Sequence, residues 1–170
     1  MKATLEIINQ MQRERIIGRY AIGGAVGATF YLEPVATLDI DIFVSLTSPP
    51  GAALLTLTPI HDYLTSRGHK IEKEYLMIEG WPVQFLPPAD ALEEEALQEA
   101  VEIEVEGTRT WVITAEYLAA IALKTGRAKD LAPLLQFVEA EVLDANKFDV
   151  ILERHGLREK WDQFGGKFLR

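Results

Sequence analysis

The sequence predicts an α+β fold: a mixed β-sheet flanked by helices, followed by a helical C-terminal third. Three observations carry this expectation. Short segments with period-2 alternation of apolar and polar residues recur between helical stretches as far as about residue 113. Four of these segments pair off around Glu79-Gly80-Trp81-Pro82 and Glu106-Gly107, turn sequences that mark hairpins. From Thr114 onward the apolar spacing is helical. The chain of 170 residues, 48% hydrophobic and 25% charged, supports a sizeable core. It divides into an α/β core over residues 1–113 and a helical region over 114–170 that packs as part of the same domain.

Each element has its own signal. Leu5, Ile8 and Met11 recur at helical spacing, widened by Ile7, and predict an amphipathic helix from Thr4 to Arg15, closed by Gly18. Arg19–Ile22 reads as a short strand, and Gly23-Gly24 turn it into a second helix reaching about Leu32. Glu33-Pro34 stops that helix, because the residue before proline disfavours the helical region. Thr37–Ser45 alternates as a strand, and Ser48-Pro49-Pro50-Gly51 is a loop. A helix centred on Ile60–Ser66 ends at Gly68. Lys70–Ile78 and Val83–Leu86 form the first hairpin, with Pro82 at a strand start, where its missing N–H does least damage. Ala91–Ala100 is an acidic helix whose Glu93-Glu94-Glu95 run reads as a solvated face. Val101–Val105 and Arg109–Ile113 form the second hairpin. Thr114 is placed to cap a long helix, which Pro133 kinks or restarts, and helices near Lys147–His155 and Leu157–Phe164 finish the chain.

Composition narrows the chemistry. There is no cysteine, which excludes disulfides, thiolate zinc sites and a cysteine nucleophile. His61, His69 and His155 are too far apart for a paired-histidine metal motif. The N-terminus lacks the charged-then-apolar pattern of a signal peptide, and no apolar run approaches the roughly 18 residues a membrane span needs, so a cytoplasmic protein with no membrane partner is expected. A net charge of −9 argues against non-specific nucleic-acid binding, which needs clustered Lys and Arg.

The chemistry-bearing stretch is Tyr20-Ala21-Ile22-Gly23-Gly24 followed by Leu38-Asp39-Ile40-Asp41-Ile42-Phe43-Val44. Strand alternation puts Asp39 and Asp41 on one face, with Cα atoms roughly 6.5–7 Å apart. Two such carboxylates suit one or two Mg²⁺ ions, which take oxygen ligands and partner with phosphates. A strand ending in Gly-Gly at a helix start lets backbone N–H groups approach a phosphate. Taken alone, the glycines would read as packing residues and the Asp-x-Asp as a solvated strand face. Their order on one strand–turn–helix–strand unit is what points to a site.

This unit resembles the nucleotidyltransferase superfamily related to polymerase beta, whose hallmark is an apolar residue, Gly-Gly or Gly-Ser, a helix, and an Asp-x-Asp strand. Here those are Ile22, Gly23, Gly24, Asp39 and Asp41, and the 14 intervening residues slightly exceed the usual gap. The resemblance is nearest to small bacterial members, including abortive-infection toxins. It implies a nucleotidyltransferase-like fold and an enzyme that moves a nucleoside monophosphate from a nucleoside triphosphate such as ATP to an acceptor. It implies Mg²⁺ (or Mn²⁺) as cofactor on the catalytic Asp39 and Asp41, and Lys124 and Arg127, three apart on one helix face, as triphosphate contacts beside Gly23 and Gly24. The acceptor is left open among RNA, protein and small molecules, and a cognate antitoxin or a second copy is an admissible partner. Active members carry a third carboxylate, and the matching position here is Gln84, which offers a carbonyl but no charge and no base. That departure opens the alternative of a catalytically degenerate nucleotide-binding or interaction module. Glu79, Glu72, Glu74 and Glu33 are the other acids near enough in sequence to weigh, and each reads as a surface residue.

Overall fold

The computed structural model describes residues 1–33, 39–48 and 51–169. Helix α1 (Lys2–Arg13) leads into β1 (Ile17–Ile22), the short α2 (Gly24–Ala28) and β2 (Ile40–Leu46). There follow α3 (Thr58–Thr65), β3 (Lys70–Glu72), β4 (Tyr75–Ile78), β5 (Trp81–Leu86), α4 (Ala91–Gln98), β6 (Val101–Val105) and β7 (Thr108–Val112). Helices α5 (Ala115–Thr125), α6 (Ala128–Glu139), α7 (Ala145–Arg154) and α8 (Arg158–Phe168) complete the chain. The strands form one mixed sheet in the order β3-β4-β5-β2-β1-β7-β6. β2 runs antiparallel to β1 and parallel to β5, and β1 runs parallel to β7.

Alternation along β2 divides the core between the two faces. Ile40, Ile42 and Val44 are fully buried with Leu5, Ile8 and Met11 of α1 and Ile60 and Leu64 of α3. Phe43 and Ala21 point the other way, into a second cluster built with α4, α5, α6, α7 and α8. The C-terminal helices therefore cover the face that carries the aspartates. Among the described residues no helix is long and apolar enough to cross a membrane.

The helices on this face are joined by a polar knot. Glu95 of α4 accepts from the Tyr117 hydroxyl of α5 at 2.5 Å, pairs with Arg154, and lies 3.0 Å from His155 Nε2 at the end of α7. Burial works to raise the Glu95 carboxyl, but the bonds from Tyr117 and with His155 and the charge of Arg154 outweigh it and hold the group below its ordinary range. Glu93 is engaged as well, with Lys124 at 2.8 Å, while Glu94 is exposed. Only the middle glutamate of the acidic run is thus a solvated surface residue; the outer two tie helices together.

The structure moves several boundaries. α2 ends at Ala28, four residues before the expected Leu32, where the Thr29 hydroxyl donates to the Val26 carbonyl at 2.7 Å. Pro34, Thr37 and Leu38, and with them the start of the predicted strand, lie outside the described residues, as do Pro49 and Pro50. The expected strand Lys70–Ile78 is itself a hairpin that turns at Lys73-Glu74, with Lys73 at φ 58°. Thr114 occupies the predicted cap position but makes no side-chain capping bond. α6 runs through Pro133 without interruption; the break falls at Gly126, whose φ of 69° closes α5. The two predicted hairpins do form, each on a Glu-Gly pair with both residues at positive φ (Glu79 50° and Gly80 82°; Glu106 49° and Gly107 81°).

Candidate active site

β1 and β2 are latched where the glycines begin. The Gly23 N–H donates to the Asp41 carbonyl at 2.9 Å, so the turn into α2 is fixed against the strand that carries the aspartates. A Cβ on Gly24, at φ +56°, would stand 2.0 Å from Asp41 Oδ2, and a Cβ on Gly23 would stand 2.5 Å from the Phe43 ring. The glycines are required because the Asp41 carboxylate and the Phe43 ring occupy that space. The Gly23 N–H is thereby committed inside the fold and is not one that can approach a phosphate. α2 has only five residues, too short for much of a helix dipole.

Asp39 and Asp41 open into a cleft of about 410 Å³. Gly24, Ala25, Ala28, Phe43 and Leu86 form its sheet side, and Glu93 joins from α4. Leu118, Ile121, Ala122 and Thr125 of α5, with Arg127, Lys129, Asp130, Pro133 and Phe137 at and along α6, form the opposite wall. A largely apolar cleft with a few convergent charges is the usual form of a small-molecule site. Burial pushes the Asp41 carboxyl up to about 6, the charge of Asp39 pushes the same way, and Lys129 opposes them.

The predicted basic pair is not a pair. Gly126 ends α5 between Lys124 and Arg127, so the two do not share a helix face. Lys124 turns to α4, with its Nζ 2.6 Å from Asp90 and 2.8 Å from Glu93. Arg127 does line the cleft and is bridged to Asp130 at 2.6 Å. A cation that acts on Asp41 across the cleft is Lys129, a residue to which the sequence reading gives no role at the site.

Gln84 sits where the sequence places it. β2 and β5 are in register at Asp41↔Gln84, flanked by Ile40↔Val83 and Ile42↔Phe85, whose side chains are buried on the opposite face. Gln84 therefore flanks Asp41 on the cleft face. Glu79 is spent in the β4–β5 turn, and Glu33 is exposed. Tyr75 is a residue the sequence reading passed over. The β4–β5 register (Leu76↔Val83, Met77↔Pro82) carries on to place Tyr75 opposite Gln84, and the charge of Asp39 raises its hydroxyl above the ordinary range. A two-residue Glu79-Gly80 turn fixes this register; the four-residue turn expected from the sequence obscures it.

The donor set can be tested against a metal. Among the described residues no three His, Cys, Asp or Glu side chains cluster as a metal cage. Two adjacent carboxylates, one with its proton affinity raised by burial and by the charge of the other, could hold instead a divalent cation that takes oxygen ligands.

Sheet order, the strand–Gly-Gly–helix–strand unit and the paired acids facing a cleft under the C-terminal helices together define a nucleotidyltransferase-like fold. The chain is similar to ANT(2")-Ia in complex with adenylyl-2"-tobramycin, with 16% identity, a TM-score of 0.52, and coverage of 92% of this chain and 98% of that one. It is also similar to an antigenic nucleotidyltransferase-like protein from Paracoccidioides brasiliensis, with 9% identity, a TM-score of 0.56, and coverage of 99% and 96%. At these identities the likeness is one of fold. No protein-family model and no curated protein sequence matches the chain.

Proposed function

We propose that the protein is a metal-dependent nucleotidyltransferase that transfers a nucleoside monophosphate from a nucleoside triphosphate to an acceptor. The observation that carries this reading is the meeting of Asp39 and Asp41 with Lys129 and Arg127 across one cleft in a nucleotidyltransferase-like fold. Asp39 and Asp41 would hold Mg²⁺ or Mn²⁺, which when bound neutralises phosphate charge. Lys129 and Arg127 draw the triphosphate into the cleft, and Arg127 is held in place by Asp130. Leu118, Ile121, Ala122 and Phe137 give the base an apolar wall and exclude water. An acceptor oxygen attacks the α-phosphorus, the bond to the bridging β-phosphate oxygen breaks, and pyrophosphate leaves. Nothing in Gln84 can take a proton, so a hydroxyl acceptor is activated slowly, whereas a phosphate acceptor arrives already ionised. One fold neighbour holds an adenylyl group joined to a small molecule, which supports a small-molecule acceptor ahead of RNA or protein. The toxin-like resemblance, with an antitoxin or a second copy as partner and a cytoplasmic setting, belongs to the same reading.

A labelled-nucleotide assay with the four triphosphates, Mg²⁺ and panels of aminated sugars, RNA and protein acceptors tests it. Transfer that disappears in Asp39→Ala and Asp41→Ala is expected; no transfer and no triphosphate binding would refute the reading. Gln84 beside Asp41 favours one alternative, a degenerate module that binds nucleotide without transfer. Binding without turnover in the unmodified chain, with turnover gained in Gln84→Asp, would select it.

A further inference from the structure

Among the described residues four carboxylates line the cleft: Asp39, Asp41, Glu93 and Asp130. Glu93 has both oxygens occupied, one by Lys124 Nζ at 2.8 Å and the other by the Ala89 N–H at 2.8 Å. Asp130 has both oxygens occupied by Arg127, with Nε donating at 2.6 Å and Nη2 at 3.2 Å. A carboxylate whose ionised form is held by a cation and hydrogen bonds is a poor base. On the reading above, Asp39 and Asp41 are committed to the metal ion. The other titratable groups at the cleft, Arg127 and Lys129, are cations, and among the described residues no histidine lines it. The sequence between Glu33 and Asp39 holds no acid and no histidine. Beside Asp41 on the sheet stands Gln84, whose amide takes no proton but can donate a hydrogen bond. The cleft therefore binds charge and lacks a side chain placed to deprotonate an acceptor.

We propose that the acceptor is a small phosphate monoester, held by the Gln84 amide, whose attacking oxygen is already ionised at neutral pH. The inference rests on the metal–nucleotide reading above and names the acceptor class for the same site. A hydroxyl acceptor must lose a proton as it attacks, a step to which a positioned base contributes about 10²–10⁴-fold. A phosphate monoester completes its ionisation at a pKa of about 6 and needs no base. One of its oxygens attacks the α-phosphorus and a P–O–P bond forms. The bond from the α-phosphorus to the bridging β-phosphate oxygen breaks, and that oxygen keeps the electron pair as pyrophosphate leaves. No proton moves, and the product joins nucleoside and acceptor through a diphosphate. Gln84 suits this acceptor, because its amide donates to a phosphate oxygen that a carboxylate in the same place would repel.

Matched acceptors test the proposal on the 170-residue chain: glucosamine 6-phosphate against glucosamine, and glucose 1-phosphate against glucose. Each is supplied with Mg²⁺ and the four α-labelled nucleoside triphosphates. Wild type is expected to use each phosphorylated sugar about 100-fold better than its parent, the low end of what a positioned base contributes. Gln84→Asp, which returns a base and adds a negative charge, is expected to shift the preference toward the parent sugars. Calorimetry with Mg²⁺ and a non-hydrolysable ATP analogue reads acceptor binding apart from turnover. There glucosamine 6-phosphate is expected to bind Gln84→Asp about 10-fold more weakly than wild type. Gln84→Leu, which removes the donor without adding charge, is expected to show an intermediate loss. Equal use of phosphorylated and parent sugars by wild type, or a preference for the parents, would overturn the inference while transfer itself upholds the reading beneath it. An affinity for glucosamine 6-phosphate unmoved by both substitutions would overturn it as well. Triphosphate binding without transfer to any of these sugars would overturn it in favour of the degenerate module. An absence of triphosphate binding would overturn the reading beneath it.

Discussion

The Asp41 cleft and the Glu95 knot lie on the same face of the sheet, and each takes an acid partly out of water. In the knot, Tyr117, His155 and Arg154 converge on Glu95 and keep its proton affinity low. In the cleft, Asp41 faces a second acid and one lysine, and its carboxyl rises to about 6. The difference separates stability from function. The knot satisfies its charge with the protein's own groups and so docks α7 on α4 and α5. The cleft leaves a negative charge under-compensated, which costs stability and, on the proposed function, would create affinity for a cation with its phosphates.

Substitutions that reverse one environment and not the other test this contrast. The largest effect is expected in the knot: Glu95→Ala strands Tyr117 and Arg154 and should cost about 2–3 kcal/mol in urea unfolding, with triphosphate binding retained by the folded fraction. Because the Glu95 carboxyl is depressed in the folded state, its contribution is present above the ordinary glutamate range and fades as pH falls through the depressed value. The wild-type and Glu95→Ala stabilities should therefore converge in acid. Gly24→Ala comes next. Positive φ and the collision with Asp41 Oδ2 should cost about 2 kcal/mol and, unlike Glu95→Ala, should also abolish Mg²⁺-dependent nucleotide binding. The smallest stability effects separate the two lysines. Lys124→Met should lose about 1 kcal/mol with its ion pairs to Asp90 and Glu93 and leave nucleotide affinity unchanged by calorimetry. Lys129→Met should leave stability nearly unchanged and weaken nucleotide binding about 10-fold, the loss of one charge-assisted contact.

Much of the scaffold was legible in the sequence because local patterns dictate it. Alternation at residues 40–44 and the glycines of the Glu79-Gly80 and Glu106-Gly107 turns depend on near neighbours alone. The order Gly23, Gly24, Asp39, Asp41 was legible for the same reason, and so was the strand that brings Gln84 to Asp41. What escaped depends on tertiary geometry. Lys124 and Lys129 are equivalent cations until Gly126 breaks the helix between them and turns one to α4 and the other to the cleft. Glu95 is one of three adjacent glutamates until α7 docks beside it. Tyr75 became visible only through the register that a two-residue turn enforces.

The central claim is that Asp41 is a charge waiting for a cation, and thermal unfolding with and without Mg²⁺ and a non-hydrolysable ATP analogue at pH 7.5 and pH 5 tests it most directly. A carboxyl raised to about 6 in the folded state binds a proton that the unfolded chain does not, so between its ordinary value and about 6 the metal-free protein loses stability as pH rises. The account predicts that Asp41→Asn melts higher than wild type in metal-free buffer at pH 7.5, and by a smaller margin at pH 5. It predicts a stabilisation of wild type by Mg²⁺ and the analogue that is large at pH 7.5, smaller at pH 5, and absent in Asp41→Asn. A metal–nucleotide shift of equal size in wild type and Asp41→Asn, or no shift in wild type at either pH, would contradict it.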